Sequence, residues 1–200
     1  MEEPLGLHLI RRFSFLWDAV WVPLYLRAHG VELGAGCAFS GFPVVSKAPG
    51  STIRLGRETR ILSRNFATAL GVAHPLVLRT LNSGATICIG AKVGISGGSI
   101  CAAQEVSIGE GSLLGAEVMI MDTDFHPISP SGRNSSNTES PTPRAIRIGK
   151  NVFLGARSII LKGVEIGDHS VIGAGSVVTR SVPAGVVAAG NPCRVIGPLP

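Results

Sequence analysis

Aromatic residues are scarce: seven Phe, two Trp and one Tyr in 200 residues. A core of this size without rings must be filled by Ile, Leu, Val and Ala, which suits backbone stacked closely and repetitively. Cysteine is scarcer still, and Cys37, Cys88, Cys101 and Cys193 stand apart with no C-x-x-C spacing. That argues against a zinc finger or a disulfide framework and for a reduced, cytoplasmic setting. No apolar run approaches the ~18 residues of a membrane-spanning helix, because Arg11, Arg12 and Asp18 interrupt the segment 5–30. That segment also lacks a small-residue cleavage site after a short apolar core, so it is not read as a signal peptide. The net charge is +5, yet the basic residues are scattered and never interleaved with aromatics. Nucleic acid is therefore not an expected partner.

Glycine and aliphatic residues are plentiful. The 26 glycines follow no collagen period, so they are read as many sharp corners. Residues 1–30 read as a helical segment: an amphipathic helix that ends before Pro23 or bends there. Its apolar face packs on the protein itself or, through Trp17, Trp21 and Arg11, on a membrane surface.

The rest of the chain, 31–197, is repetitive. Residues 148–183 divide into six hexads, IGKNVF, LGARSI, ILKGVE, IGDHSV, IGAGSV and VTRSVP. Their first residues are Ile148, Leu154, Ile160, Ile166, Ile172 and Val178, and their fifth residues are always Val or Ser. Neither a helical nor a simple alternating period produces this pattern. A short strand, a tight corner and another short strand does. Three such sides close a coil, and coils stack at the ~4.8 Å spacing of paired strands. First-position aliphatics point inward, and small fifth residues let the corners close. The rhythm extends upstream through 102–125, through Ile89 and Ile95, and into "IRLGRETRILS" (53–63), with one extra residue placed at Ile100–Cys101.

At one point the beat stops on a polar residue. Counting back in sixes from His126 gives Ile120, Leu114, Ile108 and Ala102, so a histidine stands where an aliphatic residue is due. From His126 to Ile148 is 22 residues, not a multiple of six, so a polar loop spanning 127–145 must leave the prism and return.

Three stretches carry a resemblance: "DTDFHP" (122–127), the hexads of 148–183, and "AAGNPCRVIG" (188–197). Together, across about 33–197, the sequence resembles the hexapeptide-repeat acyltransferases, in particular the sugar O-acetyltransferase branch that includes maltose, galactoside and surface-polysaccharide acetyltransferases. The resemblance implies a mainly β fold, a left-handed parallel β-helix forming a triangular prism, with the N-terminal helix and one protruding loop added. It implies a homotrimer of parallel prisms. It also implies acetyl-CoA as co-substrate, no metal, and a saccharide or related small molecule as acceptor of an acetyl group on a hydroxyl.

By the same resemblance His126 is the catalytic histidine. Acetyl transfer to a hydroxyl needs a base, and neutral imidazole can take that proton and return it to the leaving thiolate. Asp124 sits at the fifth position of its hexad, where a carboxylate needs partners. Orienting His126 and bonding backbone N–H groups of the turn are both open to it, and Asp122 is the second candidate. Family cofactor contacts fall on Ala156, Ala174, Thr179, Arg180 and Arg194, the arginines being suited to phosphate. Phe153 stands where galactoside and maltose relatives carry Trp, and Gly97, beside Ser96, where they carry an acceptor-binding Asn. Ser96 is taken as the acceptor contact. His74, in "LGVAHPLVLR", is the rival base.

Four other functions compete. An amine acceptor or a serine-type acetyltransferase would use the same fold. A carbonic-anhydrase-like zinc site would need three converging histidines, and no histidine follows His126 until His169. A non-catalytic β-helix scaffold is the fourth.

Overall fold

Inward-facing aliphatics pair from one coil to the next, 18 residues apart in Ile148 with Ile166 but 19 in Ile89 with Ile108 and 34 in Ile53 with Ile87, and three sheets grow from these pairings. The computed structural model describes residues 5–130 and 141–200, with side chains from Ser14 onward. Face I stacks strands at Val31–Leu33, Thr52–Leu55, Thr86–Ile89, Glu105–Ile108, Ile146–Ile148 and Glu165–Ile166. Face II begins at Ala38–Ser40, runs through Arg60–Leu62, Gly94–Ser96, Leu113–Leu114, Phe153–Leu154 and Val171–Ile172, and ends at Val186–Ala189 and Arg194–Pro198. Face III stacks Val44–Ser46, Val77–Thr80, Ser99–Ala102, Met119–Met121, Ile159–Ile160 and Val177–Val178. Every neighbouring pair is parallel except the last on face II, where Arg194–Pro198 returns antiparallel.

The hexad residues behave as their pattern demands. The first-position ladder from Ile148 to Val178 is at most 3 % exposed. Fifth-position serines do more than fit the corner. Ser176 donates to Gly173 O at 2.6 Å and accepts the Gly190 N–H at 3.0 Å. Ser112 likewise bonds Gly149 O and the Val152 N–H. Each hydroxyl thus satisfies corner groups that the ladder cannot reach. Fourth positions adopt left-handed backbone: Glu58, Lys92, Glu117, Asn151, Arg157 and His169 all have φ between 52° and 61°.

Two details depart from the sequence reading. The inward residues Ile95, Ile100 and Ile108 are five and eight apart, so the surplus is not at Ile100–Cys101 but in the turn after Ala102. That wider turn is held by Asp122, fully buried, whose carboxylate accepts the N–H groups of Ala103, Gln104 and Glu105 at 2.7–2.8 Å. The second departure is the helix, which continues through Pro23 over Leu5–Ala28. Proline removes the N–H that Ala19 O would accept, but Ala19 is exposed, so water can replace it.

The helix docks on the first coil through Val22, Leu26 and Asp18, all fully buried. Asp18 is its anchor. Its carboxylate takes both Nε and Nη2 of Arg64, at 3.0 and 2.8 Å, and the Gly41 N–H at 2.8 Å. The opposite face carries Leu16, Trp17, Val20, Trp21 and Leu24, all exposed. This helix is apolar nearly all round, beyond what one docking face needs.

Asp18→Ala and Asp122→Ala each strand buried donors, at about 1–3 kcal/mol per unsatisfied group. Urea unfolding of both variants should show a lowered midpoint at unchanged slope. Asp122→Ala should be the more destabilised, since it orphans three backbone N–H groups. A parental midpoint for Asp122→Ala would show that the turn does not depend on the carboxylate.

Candidate active site

The loop leaves the prism at the corner between faces III and I. Ile108 pairs directly with Ile148, and Val106 with Ile146, across the whole excursion. By hexad count those inward slots belong to His126 and Asp124, each 22 residues earlier. Ile146 and Ile148 fill them instead, so both polar residues are released to the outside. Asp124 is exposed rather than inward-leaning, and so is His126.

The backbone turns outward at Phe125, which has φ of 62°. The His126 N–H then donates to Asp124 O at 2.7 Å. The imidazole of His126 has no side-chain hydrogen bond or ion pair among the described residues, so a nitrogen lone pair is available to a bound hydroxyl. The Asp124 carboxylate is not spent on that ring. It pairs with the ammonium of Lys162, which also donates to Thr142 O at 3.2 Å. Asp122 is occupied by the turn described above.

His74 lies on a different corner, between faces II and III. Its Nε2 is 3.2 Å from Glu117 Oε2 and its Nδ1 is 2.8 Å from Pro75 O. Each ring nitrogen faces an oxygen atom of the protein, so neither is turned to a bound hydroxyl. Glu117 Oε1 also accepts the Ala73 N–H at 2.8 Å, tying the segment around His74 to the prism.

That second corner carries a groove of about 640 Å³ lined by Leu70–Ala73, Ala116, Glu117, Ala156, Arg157, Ala174 and Gly175. Ala156 and Ala174 are stacked one coil apart. Their small side chains let a ligand approach the backbone closely, and Arg157 supplies a cation that sequence reasoning passed over. The available signal was its place beside Ala156 in the hexad LGARSI. Arg194 is exposed on the last strand of face II, with Nη1 donating to Cys193 O at 2.8 Å. Ser96 and Phe153 line one smaller groove, about 270 Å³, on face II with Arg60, Leu113 and Gly115. Gly115 and Ala116 are adjacent in the chain, so the two grooves are neighbours on the prism.

Thr179 and Arg180 are exposed on the same corner as His126. Arg144, Lys162 and Arg180 form a column of cations along it, spaced by 18 residues and therefore by about 4.8 Å per step. The sequence-predicted residues thus divide between two corners. Ala156, Ala174 and Ser96 lie at or beside one, while His126, Asp124, Thr179 and Arg180 lie at the other. A side six residues long separates the corners by up to about 20 Å.

Among the described residues no three His, Cys, Asp or Glu side chains converge as a metal site. Burial raises the thiol pKa of Cys37, Cys101 and Cys193 above the ordinary range, which keeps them protonated and unreactive.

Residues 145–180 match the hexapeptide repeat of succinyl-transferase. The chain is 44 % identical over 75 residues to a galactoside O-acetyltransferase of Lactococcus lactis, covering 38 % of this chain and 35 % of that one. It is 41 % identical over 58 residues to a tetrahydropyridine-dicarboxylate N-acetyltransferase of Staphylococcus aureus, covering 29 % and 24 %. The chain therefore matches only about a quarter to a third of these relatives' lengths. Among solved structures, a galactoside acetyltransferase in complex with coenzyme A aligns with all of this chain and 86 % of its own, at 25 % identity and TM-score 0.57. An N-acyltransferase from Bacillus cereus, bound to dTDP and 3-hydroxybutyryl-CoA, aligns with 92 % of this chain and 89 % of its own, at 18 % identity and TM-score 0.65. Repeat, prism and these likenesses agree on the fold, a left-handed parallel β-helix built of hexapeptide repeats.

Proposed function

We propose that the protein is an acetyl-CoA-dependent O-acetyltransferase acting on a hydroxyl of a saccharide or related small molecule. The observation that carries this reading is His126, an exposed imidazole free of side-chain partners among the described residues, where the chain leaves a rigid corner. His126 accepts the hydroxyl proton as the acceptor oxygen attacks the thioester carbonyl. When the tetrahedral intermediate collapses, the carbon–sulfur bond breaks and His126 returns the proton to the departing thiolate.

The groove of Ala116, Ala156 and Ala174 suits an extended pantetheine arm, with Arg157, Arg180 and Arg194 as phosphate partners. Support for that donor comes from the galactoside acetyltransferase structure, which holds coenzyme A. The groove of Ser96 and Phe153 is assigned to the acceptor. An amine acceptor is the second reading, favoured by the N-acetyltransferase among the relatives.

In one prism the histidine and the alanine groove occupy different corners. We infer a homotrimer of parallel prisms, in which the histidine corner of one subunit faces the groove of the next and a closed ring makes three equal sites. The outer face of the helix, with both tryptophans exposed and Arg27 in its last turn, supports peripheral contact with an anionic membrane surface.

His126→Ala should lower kcat by about 10²–10⁴ with little change in fold or in acetyl-CoA binding. Arg180→Ala and Arg194→Ala should instead raise KM for acetyl-CoA at nearly constant kcat. Thiol release with acetyl-CoA and a panel of sugars and amino sugars reads both effects. A larger kcat loss in His74→Ala than in His126→Ala would move the base to His74.

Sedimentation equilibrium of the protein alone should give three chains per particle. Flotation with phosphatidylglycerol vesicles should carry the protein, and carry Trp17→Ala/Trp21→Ala less. A monomer of full activity would remove the trimer, and equal recovery of parent and variant would remove the membrane contact.

A further inference from the structure

The neck of the excursion is closed twice. The Arg144 N–H donates to Asp122 O at 2.9 Å, joining the departing and returning strands by their backbones. Two residues further out on each strand, at Asp124 and Thr142, the joining group is a side chain from the next coil, the Lys162 ammonium. Only 18 % of the Lys162 side chain is exposed, and two of its three N–H donors are spent across the neck. His126 follows two residues beyond Asp124 and bonds its carbonyl through the backbone.

We propose that Lys162 is the positioning residue of this site, a staple across the neck whose grip on Asp124 fixes where His126 stands. The proposal rests on His126 being the base. Asp124 then serves His126 through the backbone, while its carboxylate is held by the staple. The same pairing relieves the corner. Arg144, Lys162 and Arg180 lie one coil apart, and unpaired cations at that spacing repel. Asp124 neutralises the middle one and leaves Arg144 and Arg180 facing outward.

A substrate-binding lysine would look different. It would present its ammonium to a groove, whereas this one is turned between two strands and lines none of the grooves described above. Arginine can span the same two acceptors, so Lys162→Arg should preserve the staple. Methionine keeps the stem and removes the charge.

The test uses the full chain and two readouts. Hydrogen–deuterium exchange over 123–130 and 141–145 should speed up at least tenfold in Lys162→Met and stay near parental in Lys162→Arg. Turnover of acetyl-CoA with methyl β-galactoside as probe acceptor should fall about tenfold to a hundredfold in kcat for Lys162→Met, as expected of a small misplacement of a reacting group. KM for acetyl-CoA should stay within twofold. His126→Ala/Lys162→Met should be no slower than His126→Ala alone, because Lys162 acts only through His126. Unchanged exchange in Lys162→Met overturns the staple. Faster exchange with parental kcat overturns the positioning role, and a raised KM at constant kcat makes Lys162 a cofactor-binding cation instead. Parental activity in His126→Ala removes the base assignment alone, and the exchange result still decides whether the neck is stapled.

Discussion

Everything in this molecule hangs on parallel pairing between a residue and its counterpart one coil later, as in Leu154 with Ile172 or Ile160 with Val178. Each coil is too thin to bury its own aliphatics. It gains a dry surface only from the coils above and below, so stability accumulates along the stack rather than in a single centre. The register therefore must not slip, and the corners guard it. The fifth-position hydroxyls of Ser112 and Ser176 bond across coils, and left-handed fourth residues make the chain turn sharply.

A rigid stack of this kind frees its corners for chemistry. The two corners that carry the site hold residues that would be costly inside: Glu117, Arg157, Lys162, Arg180 and His126. Their backbones are fixed by the ladders, and their side chains face solvent or grooves, except that of Lys162, which is turned across the neck of the excursion. Asp122 and Asp18 mark the other use of charge here. Both are buried, and both are consumed by backbone N–H groups, Asp18 by an arginine as well. They hold turns and helix in place, and their carboxylates have nothing left for catalysis.

The prism was legible because its period is written in Ile, Leu and Val, residues whose burial depends on nothing but their place in the hexad. The break at His126 was legible for the same reason. Charged partners were not. Asp18 reads in sequence as an interruption of an apolar run, and only the fold brings Arg64, 46 positions later, against it. Asp124 was placed inward by counting hexads, an argument that ignored where the excursion begins. The pairing of Lys162 with Asp124 spans 38 positions and has no periodic signature. At Pro23 the sequence left an end or a bend open, and the end is excluded: helix propensity is a weak prior, and docking of Val22 and Leu26 outweighs one missing hydrogen bond.

The pairing of Ile108 with Ile148 has a further meaning. Forty residues of chain separate them where the repeat alone would allow 18, yet the ladder is the same as anywhere else in the stack. A segment spliced in at a corner is invisible to the strands on either side. Closing a longer detour costs only about 0.6 kcal/mol for each doubling of its length. Such a port lets a lineage rewrite the excursion while the prism that supports it is inherited unaltered.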